Sequence, residues 1–229
     1  MHKRNVLALV LLLCLVLSGC GGKDPVSGTV TPSTTVPAET EKPASLGRLE
    51  GGIYTNTYAG YGCELDANWV YYSAEELQAL PENINELLAD TDLADSMEDV
   101  FQIMDMKAEN AQDLTTINVL YTKLGLEERL AYMVLSEEAI VDGVLTQKDA
   151  LIAGYAQAGI EVTSMEKAQV TFLGETHYAV HTQAETQGVP YYILQVFDYT
   201  LGQYGVTLTL SSYVEDITQE LLNLFYSVE

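Results

Sequence analysis

Basic side chains are scarce in this sequence. Ten Lys and Arg stand against 33 Asp and Glu, a formal net charge of −23. Phosphate backbones are bound through clustered Lys and Arg, so nucleic acid is not an expected partner. The same sign repels anionic lipid headgroups, so the folded part should stand off a membrane surface. Cysteine is scarce as well, at three residues. Cys14 and Cys20 fall in the apolar N-terminal region, and Cys63 alone cannot close an internal disulfide. Cys63 lies in an extended apolar stretch and reads as a buried, inert thiol.

Motifs that carry chemistry are missing too. There is no Gly-x-Ser-x-Gly nucleophile elbow and no phosphate-cradling Gly-Lys-Ser/Thr. Gly60-Tyr61-Gly62 places Leu65 where a dinucleotide fingerprint requires glycine. His177 and His181 are the only histidines beyond His2. Their spacing would suit a metal on a helix, but the stretch alternates like a strand. That sets them roughly 13 Å apart, too far for one zinc ion. An EF-hand opening at Asp90 fails at Ala94, Asp95 and Phe101. A looser acidic cation site is the most that Asp90, Asp92 and Asp95 offer, against the plainer reading of a solvated acidic loop. No catalytic residue and no cofactor is expected, although carboxylate pairs of the glycosidase type stay open because acids are plentiful.

What is present begins at the N-terminus. A short charged start (His2, Lys3, Arg4) precedes an apolar run from Val6 to Leu17 and the tetrapeptide Leu17-Ser18-Gly19-Cys20. A basic region, an apolar region and small residues before a cleavage point describe a secretory signal. The run is short for a span, which needs about 20 apolar residues. The tetrapeptide resembles a bacterial lipobox. That resemblance implies removal of residues 1–19 and lipidation of Cys20, hence an extracytoplasmic protein held to the cell membrane by its N-terminal lipid. Loss of Lys3 and Arg4 would leave eight basic residues against the 33 acids, a balance of −25. Residues 20–50 are rich in Gly, Ser, Thr, Pro, Lys and Glu up to about Leu46 and read as a disordered tether. As a flexible chain it would span roughly 25–35 Å.

Residues 51–229 read as a single domain. Ile53–Tyr58 and Tyr61–Leu65 form a strand pair around Ala59-Gly60. Ser73 and Glu76 make a capping box that opens a helix, and Pro81 interrupts it before a second helical piece. Strands are expected over Val100–Met106 and Thr115–Tyr121, joined by a polar connection at Lys107–Asp113. Leu126, Leu130, Met133 and Val134 recur at helical spacing, with Asp142-Gly143 as the stop. A further helix over Gln147–Ala158 opens with Thr146 and Asp149 and closes at Gly159. Four alternating stretches follow at Ala168–Leu173, Thr176–Ala184, Tyr191–Tyr199 and Tyr204–Ser211, the pattern of an antiparallel meander. Ser212 and Glu215 open a closing helix with Val214, Ile217, Leu221, Leu224 and Phe225 on one stripe. The fold class is therefore α+β, a layered sandwich with helices before and after a central antiparallel sheet.

This order of elements resembles the PsbP-like α/β/α sandwich, shared by a photosystem II extrinsic subunit and a Ran-binding nuclear import factor. The resembling stretches are the entry pair Ile53–Leu65 ending near Trp69, the Thr116-Ile117-Asn118-Val119 strand, and the meander with Tyr191-Tyr192-Ile193-Leu194. The resemblance implies a non-catalytic accessory or docking protein and supplies no binding residue position by position. Fifteen tyrosines against four Phe and one Trp suggest where a partner would be met. Tyrosine brings contact area at low entropic cost with a polar tip. Tyr191, Tyr192 and Tyr199 are the candidate interaction surface, with Tyr191 and Tyr192 pointing to opposite sheet faces. The expected function is docking onto another envelope protein. The alternative is a surface module for a small ligand or divalent ion.

Overall fold

Left-handed residues at three turns set the strand boundaries. Gly51-Gly52 (φ 61° and 87°), Leu173-Gly174 (53° and 85°) and Gln187-Gly188 (52° and 78°) each join adjacent antiparallel strands. Two successive residues at positive φ match the right-handed twist of the strands they connect, and glycine adopts that conformation without a Cβ penalty. The computed structural model describes residues 46–80, 102–199 and 203–228. Its strands are β1 (Arg48–Glu50), β2 (Ile53–Asn56), β3 (Tyr61–Glu64), β4 (Trp69–Tyr71), β5 (Gln102–Asn110), β6 (Thr115–Lys123), β7 (Ile160–Phe172), β8 (Glu175–Thr186), β9 (Val189–Asp198), β10 (Tyr204–Tyr213) and β11 (Phe225–Ser227). The helices are α1 (74–80), α2 (Leu126–Tyr132), α3 (Glu137–Leu145), α4 (Lys148–Gln157) and α5 (Thr218–Leu222).

A seven-stranded antiparallel sheet runs β4-β5-β6-β10-β9-β8-β7, and a four-stranded one runs β1-β2-β3-β11. Alternation along β10 shows how the large sheet is used. Tyr204, Val206, Leu208 and Leu210 enter one core, with Ile117, Val119 and Tyr121 of β6 beside them. Tyr54, Tyr61 and Cys63 of the small sheet, with Leu221, Leu222 and Phe225, close that core. On the other face Ile140, Val141 and Val144 of α3, and Leu151 and Tyr155 of α4, pack on Val180, Ile193 and Phe197. The chain is α+β, with helices over one face and chiefly a small sheet over the other. The meander and the entry hairpin are present as the sequence predicts, and the four meander strands are longer than expected. The Ser73 cap is present too: the Glu76 amide donates to Ser73 Oγ at 3.3 Å and the Ser73 amide to Glu76 Oε2 at 2.8 Å.

Four expectations are corrected. The domain does not begin at Gly51, because Arg48–Glu50 already pairs with β2. The two glycines that suggested a boundary are the turn between those strands. The polar connection after Met106 is instead strand as far as Asn110, and Lys107 lies inside it at 2% exposure. Its amine is satisfied by Glu109 Oε1 at 2.8 Å and the Tyr72 hydroxyl at 3.2 Å, which is what allows a charge there. Asp142-Gly143 is interior to α3, whose start is fixed by Ser136 Oγ accepting from the Ala139 amide at 3.2 Å. The expected Thr146 cap is not made either, because that hydroxyl donates back to the Gly143 carbonyl at 2.7 Å.

The closing helix is the largest departure. Ladder pairing carries β10 to Tyr213, opposite Tyr191, so Ser212 is still strand. Val214 then turns left-handed at φ 70°, and its amide donates to the Pro190 carbonyl at 3.0 Å. Ser212 Oγ accepts from the Ile217 amide at 3.3 Å, two residues later than a capping box would place it. The helix shrinks to Thr218–Leu222, and Phe225 joins the small sheet opposite Cys63. Among the described residues the second face of the large sheet therefore carries this sheet and one short helix, not the helix layer of an α/β/α sandwich.

Candidate functional site

The β7–β8 hairpin carries both histidines of the folded part into contact with other elements. His177 Nδ1 lies 2.9 Å from Glu137 Oε1 at the first turn of α3, and His181 Nε2 lies 2.8 Å from Asp216 Oδ2 ahead of α5. Each imidazole thus has its own carboxylate. Among the described residues no three His, Cys, Asp or Glu side chains converge on a point where a metal could sit. Asp90, Asp92 and Asp95 lie outside the described residues, as does Cys20.

Beside the first of these pairs is a recess of about 240 Å³. Its apolar wall includes Ile140 of α3, Phe172 at the end of β7, Phe197 of β9 and Leu208 of β10. Its polar residues are Glu137, His177, Asp198 and Tyr61. Tyr61 is 4% exposed, and its hydroxyl has no hydrogen-bond partner among the described residues. Burial, and then the nearby Tyr121, Asp105 and Asp198 groups, hold its phenol well above the ordinary tyrosine range. Its ring meets Phe172 and Phe225 edge-on, with centroids 5.6 and 5.5 Å away. Among the described residues no Arg or Lys is in the lining.

Behind this wall lies a buried polar network centred on Asp105. An irregularity in β5–β6 pairing between Met104 and Met106 turns this carboxylate toward the small sheet. The Gly47 amide donates to both its oxygens at 2.9 and 3.0 Å, the Tyr54 hydroxyl donates at 2.6 Å, and Asn56 Nδ2 donates at 2.9 Å. Asn56 Nδ2 also lies 2.6 Å from the Tyr121 hydroxyl. A Cβ on Gly47 would run into the Tyr54 ring, so only glycine lets the chain pass here. The network pins the first hairpin to the large sheet. It is enclosed, and its role is architectural.

The candidate interaction surface Tyr191, Tyr192 and Tyr199 is not assembled. Tyr191 is buried and stacks on Tyr213 at 4.5 Å, and Tyr199 is buried against Tyr132 at 5.0 Å. Only Tyr192 is half-exposed, on the opposite face from Tyr191 as strand alternation requires. The helix layer that covers this face takes the other two into the core.

An apolar surface does occur, at the residues whose spacing predicted a helix. Leu126, Leu130, Met133 and Val134 are 65, 58, 73 and 82% exposed, and α2 has no buried residue. The stripe is at helical spacing, as read, but faces outward. It is flanked by Glu127 and Glu128, and Leu135 extends it. Among the described residues no helix is long and apolar enough to cross a membrane.

No family model matches this sequence, and no curated protein matches it. Among solved structures, the chain is similar to the solution structure of cyanobacterial PsbP (CyanoP) from Synechocystis sp. PCC 6803. The two share 12% identity over 80% of this chain and 99% of that one, with a TM-score of 0.40. No residue role passes from one chain to the other at that level of likeness.

Proposed function

We propose that this chain is a lipid-anchored, extracytoplasmic, non-catalytic accessory protein that docks onto another envelope protein through the outward stripe of α2. The observation that carries this reading is the run of four large apolar side chains, each more than half exposed, from Leu126 to Val134. Scattered exposed apolar residues are ordinary, but a contiguous patch marks a surface that meets something. The acidic flank and the balance of −25 after loss of the signal select the occupant. Membrane-binding helices carry several Lys and Arg around their apolar stripe, whereas this one carries Glu127 and Glu128 against the single Arg129. A protein surface with an apolar centre and a basic rim is the complement. The lipid on Cys20 would hold the domain near such a partner and supply effective concentration.

The test is site-specific photocrosslinking in intact cells carrying the full-length chain, with the probe at Leu130 and, as control, at Val70 on the β4 edge. One dominant protein adduct at Leu130, absent at Val70 and lost when Val134 becomes Asp, is expected. Adducts to lipid alone, to a second copy alone, or equally at both positions overturn the reading. Cys20→Ser should release the protein from the membrane fraction, and retention there would remove the anchor from the proposal.

A further inference from the structure

We infer that the recess beside Glu137 and His177 is a binding site for a small organic cation with an apolar body, a single ring or short alkyl group bearing an ammonium. This rests on different residues from the docking stripe and stands without it. The wall formed by Ile140, Phe172, Phe197 and Leu208 asks for apolar surface, and about 240 Å³ limits its amount. Pockets for drug-sized molecules run roughly 300–1,000 Å³, so the occupant is smaller than those.

Charge selects the polar end. With His177 neutral, Glu137 and Asp198 leave the site at minus two; with His177 protonated it remains at minus one. Since no Lys or Arg is among the described residues that line the recess, an anion would meet carboxylates there. A neutral occupant would bury these carboxylates more deeply without adding a counter-charge, which is costly. An ammonium supplies both the counter-charge and hydrogen-bond donors. Two features of the wall fit it further. The Tyr61 oxygen is buried without a partner among the described residues, and Phe172 and Tyr61 put aromatic rings, which attract a desolvated cation, in the lining. A bare divalent ion fits poorly, because no three ligating side chains converge among the described residues and most of the lining is carbon.

The experiment titrates the detergent-solubilised full-length chain with 2-phenylethylammonium, 2-phenylethanol and phenylacetate by calorimetry, each to about 10 mM, since affinity without an optimised ligand falls near the millimolar range. Saturable binding of the ammonium is expected, with the alcohol at least about fivefold weaker and phenylacetate silent. Asp198→Asn should lower the ammonium-to-alcohol ratio while leaving alcohol binding in place. Should that variant not fold, Glu137→Gln, on the partly exposed first turn of α3, carries the same test with a partial loss of the ratio. Equal binding of all three probes, tighter binding of phenylacetate, an unchanged ratio in a folded variant, or no saturation by the ammonium overturns the inference. A simultaneous loss of the Leu130 adduct is not expected, so failure here leaves the docking reading intact.

Discussion

Replacing Asp105 by Ala should cost about 2–4 kcal/mol, and the structure says where that comes from. The Tyr54 hydroxyl donates to this carboxylate at 2.6 Å and has no other acceptor for its proton within the network. Hydrogen bonds to a charged group are worth about 1.5–3 kcal/mol, and a buried donor left without one costs a similar amount. The Gly47 amide adds about 1 kcal/mol, because it is only part-buried. Asn56 Nδ2 keeps the Tyr54 and Tyr121 oxygens and adds little. Against these losses stands relief from burying a charge, since burial lifts the Asp105 carboxyl above its ordinary range despite its donors. For a domain of this size the net corresponds to a Tm lower by roughly 5–15 °C. Urea unfolding followed by the fluorescence of Trp69, the one tryptophan, reads it directly. Tyr54→Phe alone should cost about 1–2 kcal/mol, and the double variant less than the sum, because both remove one bond. A cost below about 1 kcal/mol, or strict additivity, would refute this account of the network. The pH dependence has a definite sign. The folded state holds the Asp105 proton more tightly than the unfolded chain, so this group's contribution is full below the unfolded carboxylate pKa of about 3.9. It is lost as pH rises through the higher folded value, and the variant should lack that decline.

Two further outcomes follow from single residues. Burial pushes the Cys63 thiol up to about 12, so native protein at pH 8 should leave a thiol reagent unreacted until urea unfolds it. Rapid labelling of the native state would mean that the small sheet opens readily. Val214→Gly should stabilise the domain by roughly 0.5–1.5 kcal/mol, because a β-branched residue at φ 70° is strained while glycine's greater unfolded entropy returns part of the gain. Val214 is largely exposed, so little burial is lost, and a drop in Tm would show the turn to be held for another reason.

The sequence displays whatever is decided within a few residues. Period-two alternation and the glycine turns mark β7 to β10, and Ser73 with Glu76 marks α1, because each depends on neighbours in the chain. The errors lie where a distant partner decides. Ser212, Glu215 and the apolar spacing after them satisfy every local rule for a helix start. The β10 ladder with Thr115 and Tyr192 outweighs them, and Phe225 is claimed by Cys63 across the small sheet. Lys107 reads as loop because it is charged, and only Glu109 and Tyr72 make its burial tolerable. The recess was invisible for the same reason, because its lining runs from Ala59 to Leu208 and meets only in the fold. Glu137 is unremarkable in sequence and His177 stands out only as a rejected zinc ligand, and a signal for their pairing would have required knowing that α3 lies on β8.

On the helix side of the large sheet α2 reaches the core through Tyr132 and leaves its apolar stripe outward. The helices α3 and α4 pack on β7, β8 and β9. The other half of that face, on β6 and β10, carries polar side chains beside Leu120, all of them buried and several paired across strands. Thr116 and Ser211 hydroxyls lie 2.7 Å apart, Gln195 Nε2 donates to Thr209 at 3.4 Å, and the Tyr199 and Thr207 hydroxyls lie 3.2 Å apart. Cross-strand pairs of this kind contribute about 0.2–1 kcal/mol each. The stripe from Leu126 to Val134 belongs to neither core, and substitutions on it should change stability by no more than about 0.5 kcal/mol. Four large apolar side chains that the fold does not require, on a chain otherwise so acidic, call for a reason outside the fold, and a partner's surface is the one that their chemistry fits.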